Sequence, residues 1–329
     1  MVSLIGKTMI YYLDIFSERS IFSMERYYRF SRYLKERFGC KVYKISVDAG
    51  FSCPNLDGTL SRKGCIFCDN RAFSPAVRDK KLPVEHQIAM GIEYGEKRYS
   101  AERFLVYFQP YSNTYASVET LEERYNVIKR FGHKVVGLCI GTRPDCIDRE
   151  KLSLIESYTR DYEVWIEYGL QSIHDSTLNL LNRNHSYADF LRACELTREK
   201  KNIKICAHVI IGLPGEEQRD IIKTAQACGR LKIDGIKIHP MHIVKNTLLQ
   251  KMFDEGNYKA WEFDRYIDTV SLFITALHPT TVIHRITAEC KKQLLVAPVW
   301  LNDKEKLLQA VEQKMEKEGL LQGQNYVSA

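Results

Sequence analysis

An α/β fold with a parallel sheet, curled into an incomplete (β/α) barrel, is what this sequence predicts, on three observations. Short segments rich in β-branched and aromatic residues recur along the chain, often ending at Gly or Pro. Stretches of helical period lie between them. Six such βα repeats require a parallel sheet, because each crossover returns over the sheet through a helix. Periodicity alone allows a barrel or an open doubly wound sheet. The third observation favours the barrel. GTRPD (141–145), GLQS (169–172), GLPGE (212–216) and HPMH (239–242) all stand at or just after a strand end. In a barrel those ends share one rim, where active sites assemble.

The expected strands are Val42–Val47, Arg103–Phe108, Lys134–Ile140, Glu163–Tyr168, Ile203–Ile211 and Gly235–His239. Leu121, Tyr125 and Ile128 share one helix face, as do Ile221, Ile222, Ala225 and Cys228. Ser186 with Asp189 predicts a capping box ahead of Phe190 and Leu191. A long helix-period stretch carries Trp261, Ile267, Val270, Phe273 and Leu277, then comes strand-like TTVIHRI (280–286) and a last helix with Leu307, Val311 and Met315 in register. These are expected to close the open side of the barrel. The division is thus a loosely ordered arm over 1–23 (with Met24 as a possible natural start), the barrel over 24–245, and an extension packed on it over 246–329.

Composition sets the class. A chain of 329 residues with 45% hydrophobic and 27% charged content buries a full core without disulfides. Its ten cysteines are scattered except for Cys53, Cys65 and Cys68, which excludes a secreted disulfide scaffold and indicates a reducing, cytoplasmic setting. Lys7 and Asp14 interrupt the apolar N-terminus, and no later stretch is long enough to span a membrane, so no membrane partner is expected. The net charge of +7 points to an anionic partner such as RNA.

The segment AGFSCPNLDGTLSRKGCIFCDN spaces its cysteines C-x11-C-x2-C directly after the first strand. Two thiolates two residues apart face one centre from a tight turn, and the third closes it from across a turn-rich loop. Three soft thiolates suit zinc or iron–sulfur chemistry. Structural zinc takes four protein ligands, and this loop offers three; a fourth would have to come from elsewhere, for example His86. A 4Fe–4S cluster on three cysteines leaves one iron open to a cofactor.

This triplet resembles the cluster loop of radical S-adenosylmethionine (SAM) enzymes, with a longer gap than their usual C-x3-C-x2-C. In order, YKISVDAGFSCPNLDGT, YFQPYSNTYA, IGTRPDC, EYGLQS, NRNH, IIGLPGE, IHPMHIVKNT and HRITAEC…LVAPVW look like the elongator-like, YtqA/YhcC-type branch, from about Tyr27 to about Asp303. The resemblance implies a partial (β/α)6 barrel, a 4Fe–4S cluster on Cys53, Cys65 and Cys68, and reductive cleavage of SAM to a 5′-deoxyadenosyl radical. Relatives of this branch modify the wobble uridine of tRNA. It further implies tRNA as partner and an electron donor such as flavodoxin or ferredoxin. The specific reaction implied is trimming of 5-carboxymethylaminomethyluridine to 5-aminomethyluridine. A radical enzyme of a small metabolite and a zinc-held, non-catalytic RNA-binding module are the alternatives.

By the same resemblance, Gln171 and Arg183 meet the methionyl carboxylate, Gln109 and Asn113 its amine, and Thr142 and Arg143 the ribose. Phe67 and Gly212 approach the adenine, with Pro214 stiffening the turn. His208 is counted with the cofactor residues, on the side where substrate approaches. Lys237, His239, His242 and Lys245 are the candidate substrate contacts, for a phosphate or carboxylate. Two departures stand out: Gly141 where relatives carry an acidic residue, and Asn184 in NRNH where they carry Gly. Cys146 and Cys290 read as small apolar residues before substrate thiols.

Overall fold

The computed structural model describes residues 25–74, 76–77 and 82–328. The expectations for residues 1–23 and Met24 lie outside the described residues. Strands β1 (Val42–Val47), β2 (Arg103–Phe108), β3 (Val135–Thr142), β4 (Glu163–Gln171), β5 (Ile203–Ile211) and β6 (Gly235–Pro240) neighbour one another in chain order, all parallel. After β6 come β7 (Ile243–Val244), β8 (Val282–Arg285) and β9 (Leu295–Ala297). β8 pairs parallel with β6 and is the seventh strand of the curled sheet, while β7 and β9 form a separate antiparallel pair.

β3 and β4 run past their expected ends. Thr142 still pairs with Tyr168, and Gln171 with Val209. Gly141, which reads as a strand terminator, is instead mid-ladder. A Cβ there would stand 3.1 Å from the Tyr107 hydroxyl and 3.2 Å from the Phe108 carbonyl. A side chain at 141 would therefore have to push these neighbours aside by a few tenths of an ångström.

Helices α1 (Phe30–Phe38), α2 (Val84–Tyr99), α3 (Val118–Asn126), α4 (Arg149–Ser157), α5 (Tyr187–Arg198), α6 (Gln218–Arg230), α7 (Phe263–Ala276) and α8 (Lys304–Lys317) complete the main elements. The Ser186–Asp189 capping box is present at α5. Ile128 is buried as its period requires, but lies in a 3₁₀ segment after α3. Trp261 and Leu277 flank α7 rather than belong to it. In α8 the buried stripe is Leu307, Val311 and Met315, each worth roughly 1.5–3 kcal/mol of burial.

Side chains pointing into the barrel sort into two layers. The lower is apolar: Leu105, Cys139, Trp165, Cys206 and Val282 pack together. Helix α1 plugs it, with Phe30 stacked on His284 at 3.9 Å and edge-on to Trp165 at 5.9 Å. The upper layer is polar and opens to a cavity. Among the described residues no helix is long and apolar enough to cross a membrane.

Candidate active site at the barrel mouth

The cavity at the C-terminal ends of the strands collects residues from the cluster loop, from every strand β2 to β6, and from β8. Cys53, Cys65 and Cys68 all line it. Their loop is built by its own backbone: the Cys53 carbonyl accepts from Leu56 N (2.8 Å), and the Cys65 carbonyl from Cys68 N (3.0 Å). Asn55, fully buried, locks this loop to the one after β4. Its amide donates to the Asn182 carbonyl (2.6 Å) and approaches Cys65 Sγ (3.5 Å), while its oxygen accepts from Asn184 Nδ2 (2.5 Å). Asn182 returns a bond to the Gly64 carbonyl. Asn184 replaces Gly at a left-handed position, φ 51°, which asparagine tolerates.

Three free thiols lining one cavity suit a 4Fe–4S cluster, in which each cysteine would take a different iron. Arg183, 7% exposed, donates from Nη1 to Cys65 Sγ (3.3 Å), from Nη2 to the Gly169 carbonyl (2.9 Å), and from Nε to His185 (3.1 Å). Its guanidinium thus sits on Cys65 while keeping N–H groups for a carboxylate. Gln171 lines the same wall in a left-handed conformation (φ 67°), and a Cβ on Gly169 would strike both Gln171 and Arg183. Burial, aided by Arg183 and Arg143, holds His185 neutral.

Thr142 and Arg143 also line the cavity. The Thr142 hydroxyl meets those of Ser112 (2.9 Å) and Thr114 (2.6 Å). Arg143 makes a two-pronged pair with Asp145, and its Nη1 is buried without a partner among the described residues. Phe67 and Gln109 line the wall, the Gln109 amide tied to the Phe73 carbonyl (3.2 Å). Asn113 is not among the residues lining the cavity; it is fully buried, its amide donates to the Pro110 and Gly141 carbonyls, and its Oδ1 has no partner among the described residues. Gly212 is likewise outside, at φ 92° against Trp261 and Met241. Cys146 is buried, its carbonyl accepting from Thr114. Cys290 lines a neighbouring recess.

The candidate substrate residues divide. His208 and His239 line the cavity with ring centroids 5.3 Å apart. Lys237 must be corrected. It is 3% exposed and its Nζ is paired with Glu167, so it cannot meet a tRNA phosphate. His242 also lines the cavity, but both its ring nitrogens face carbonyls, of Pro240 (2.8 Å) and Ala288 (3.2 Å), tying β6 to the segment after β8. Lys245 is exposed on the loop after β7, outside this cavity.

Sequence reasoning missed the ionic group under the cavity. Glu167 is fully buried on β4, with Lys44 Nζ at 2.5 Å, His208 Nε2 at 2.9 Å, and Lys237 beside it. Burial would raise its pKa, but Lys237, Lys44 and His208 together hold it well below the usual carboxylate range. Lys237 goes the other way: burial outweighs Glu167 and lowers it to about 7. Both lysines also lie over the Tyr107 ring, at 4.6 and 4.0 Å. The available signal was a second carboxylate, in mid-strand and flanked by Ile166 and Tyr168, in EVWIEYGLQ. Arg285 was missed as well, and it lines the cavity from β8.

Comparison with known proteins follows this geometry. Residues 61–228 match the family model of the radical SAM superfamily, and residues 233–317 that of the radical SAM C-terminal domain. The chain is 38% identical to protein YhcC of Escherichia coli over 82% of this chain and 86% of that one. It is 32% identical to YtqA of Bacillus subtilis, over 91% and 92%. A protein of Methanocaldococcus infernus named tRNA uridine(34) acetyltransferase is 28% identical over 61% of this chain and 37% of its own length. Among solved structures, archaeal Elp3 from Methanocaldococcus infernus, with its N-terminus deleted, superposes with TM-score 0.65 at 21% identity, over 85% of this chain and 64% of that one.

Proposed function

The chain belongs to the radical SAM superfamily, and from that premise we propose that it is a radical enzyme that modifies the wobble uridine of tRNA. Cys53, Cys65 and Cys68 hold the 4Fe–4S cluster, and S-adenosylmethionine binds in the cavity they line. When bound and reduced, that pair supplies a 5′-deoxyadenosyl radical, which takes a hydrogen from the substrate. The observation that carries the reading is the meeting of the three cysteines, Arg183 and Gln171 in one cavity at the strand ends.

The chain's own contribution is positioning. Arg183 offers N–H groups to the methionyl carboxylate while touching Cys65. Arg143, fixed by Asp145, offers its free Nη1 nearby. Phe67 packs with Ile66, Leu181 and Met241 to give an apolar wall that keeps water from the radical carbon. The relatives named tRNA uridine(34) acetyltransferases and the net charge of +7 support tRNA as the substrate. The proposed change is trimming of 5-carboxymethylaminomethyluridine to 5-aminomethyluridine: the radical on the carbon between nitrogen and carboxylate is stabilised, and on giving one electron back to the oxidised carrier it would become an imine, which water hydrolyses to the amine and glyoxylate. The electron comes from a carrier such as flavodoxin or ferredoxin.

Nucleoside mass spectrometry of tRNA from cells lacking the gene tests this. The carboxymethylaminomethyl nucleoside should accumulate at the wobble position, and purified protein with SAM and reductant should consume it. Unchanged wobble uridines, with 5′-deoxyadenosine formation stimulated by a small metabolite and never by tRNA, would refute the tRNA assignment and leave the radical chemistry standing.

A further inference from the structure

Strand register places three groups in one row, two of them lining the cavity and Lys237 buried between them. His208 on β5 pairs with Lys237 on β6, and Lys237 pairs with Arg285 on β8. Around them the ionic account does not balance. Lys44, Lys237 and Arg285 are three basic side chains, and Glu167 is the one carboxylate that meets any of them. Glu167 is already held by both lysines and His208. Glu289, also at the cavity, is exposed and turned to Lys304 Nζ (2.7 Å).

Arg285 is left over. Among the described residues no carboxylate pairs with it, and its Nε is buried without a partner. Among the described residues its hydrogen-bond contact is with His239, whose two ring nitrogens stand 3.4 and 3.3 Å from the same Nη2. A neutral imidazole has one acceptor nitrogen, so at most one of these contacts is a hydrogen bond. The positive charge of Arg285 is felt by its neighbours: behind burial, it is among the causes that depress Lys237, His208 and His239. A guanidinium held half-buried, unpaired, and facing a cavity is a site for an anion.

We propose that Arg285, backed by His239 and Lys237, anchors a carboxylate carried on the substrate's reacting group. This deepens the tRNA reading above and rests on it. A planar, two-pronged donor matches a carboxylate. Backbone phosphates of tRNA stay with the polymer outside the barrel, whereas a base side chain can enter it. The cluster end of the cavity already has its own cations, Arg183 beside Cys65 and Arg143 beside Asp145. An anchor on β8 holds the carboxylate at the side of the barrel that the extension closes, and so fixes the neighbouring carbon.

The test uses anaerobically reconstituted protein with its cluster and SAM. Wild-type binding of two free nucleosides is compared, 5-carboxymethylaminomethyluridine and 5-aminomethyluridine. The carboxylate nucleoside should bind at least tenfold more tightly, and Arg285→Met should abolish that preference. Arg285→Lys should recover only part of it. SAM affinity and binding of tRNA carrying 5-aminomethyluridine should stay within twofold of wild type in both variants. Equal wild-type binding of the two nucleosides overturns the proposal without any variant having to fold. Loss of SAM affinity in Arg285→Met assigns the residue to the cofactor and overturns it too. So does an equal loss of binding to both tRNA forms, which marks a phosphate contact. A wild-type preference for the carboxylate nucleoside that depends on Arg285, in a protein inert on every tRNA, would sink the tRNA reading and keep the anchor.

Discussion

Glu167→Gln removes the carboxylate that Lys44 and Lys237 share beside the cavity, while keeping its shape. At an effective dielectric near 20, each close lysine contributes on the order of 4 kcal/mol of attraction to Glu167. Below pH about 7, where both lysines are charged, losing both is offset in part by no longer burying the carboxylate, so the net destabilisation there should be about 3–5 kcal/mol. The pH dependence separates this cause from a packing defect. The folded-state pKa of Lys237 is lowered to about 7, from 10.5 for a free lysine, even with Glu167 raising it. Without Glu167 it falls further. Above pH about 8, Lys237 is neutral in both folded proteins and drops out of the comparison, leaving the Lys44 loss. Below pH about 7, the wild type keeps that proton and the variant does not. The gap should therefore be wider at pH 6 than at pH 8, by on the order of 1 kcal/mol. Anaerobic urea unfolding followed by tryptophan fluorescence, at both pH values, measures it. A gap under about 1 kcal/mol that is flat between them would refute the ionic account.

Replacing Cys53, Cys65 or Cys68 with Ala should each abolish the iron and sulfide content of anaerobic protein, whereas Cys194→Ala, within α5, should not; stoichiometric zinc without iron in the wild type would overturn the cluster. Arg183→Ala should keep the cluster but weaken SAM binding by about 1.5–3 kcal/mol, and should lower the cluster's reduction potential, because a donor to Cys65 Sγ is gone; calorimetry and redox titration followed by paramagnetic resonance read the two effects. His185 and His242 are 7% and 4% exposed, with pKa values lowered by burial to about 2 and about 4. The unfolded chain takes up protons below pH 6.5 that the folded chain refuses, so between pH 6.5 and 5.5 stability should fall by roughly 1 kcal/mol for each, and His242→Gln should remove its share of the slope. Lys245→Glu should reduce the salt dependence of tRNA binding by about one unit in log–log slope and leave SAM cleavage intact, whereas Lys237→Glu should unfold the protein; an unaltered slope removes Lys245 from the interface.

Much of this protein is written in windows of a few residues. β1, β2 and β5 match their expected ends residue for residue, because side-chain alternation and chain-breaking neighbours act within one strand. The Ser186–Asp189 box and the Cys65–Cys68 turn are equally local, closed by hydrogen bonds across three residues. Proximity of Cys53 to that turn follows from one loop, so the meeting of the three thiols in one cavity was legible as well. What lay beyond reach depended on burial and lateral register. Lys237 and Lys245 look alike in sequence, yet one is paired beneath the cavity and the other is exposed. Asn113 and Gly212 carry suitable chemistry but face the wall's interior, a choice made by how neighbouring loops pack. TTVIHRI could be read as a strand, but only its pairing with β6 made it the seventh and brought Arg285 into the cavity. Lys44, Glu167, Lys237 and Arg285 come from four strands, and no short-range pattern links them. The closed curvature of the sheet turns them inward together, and the low dielectric there makes their charges matter.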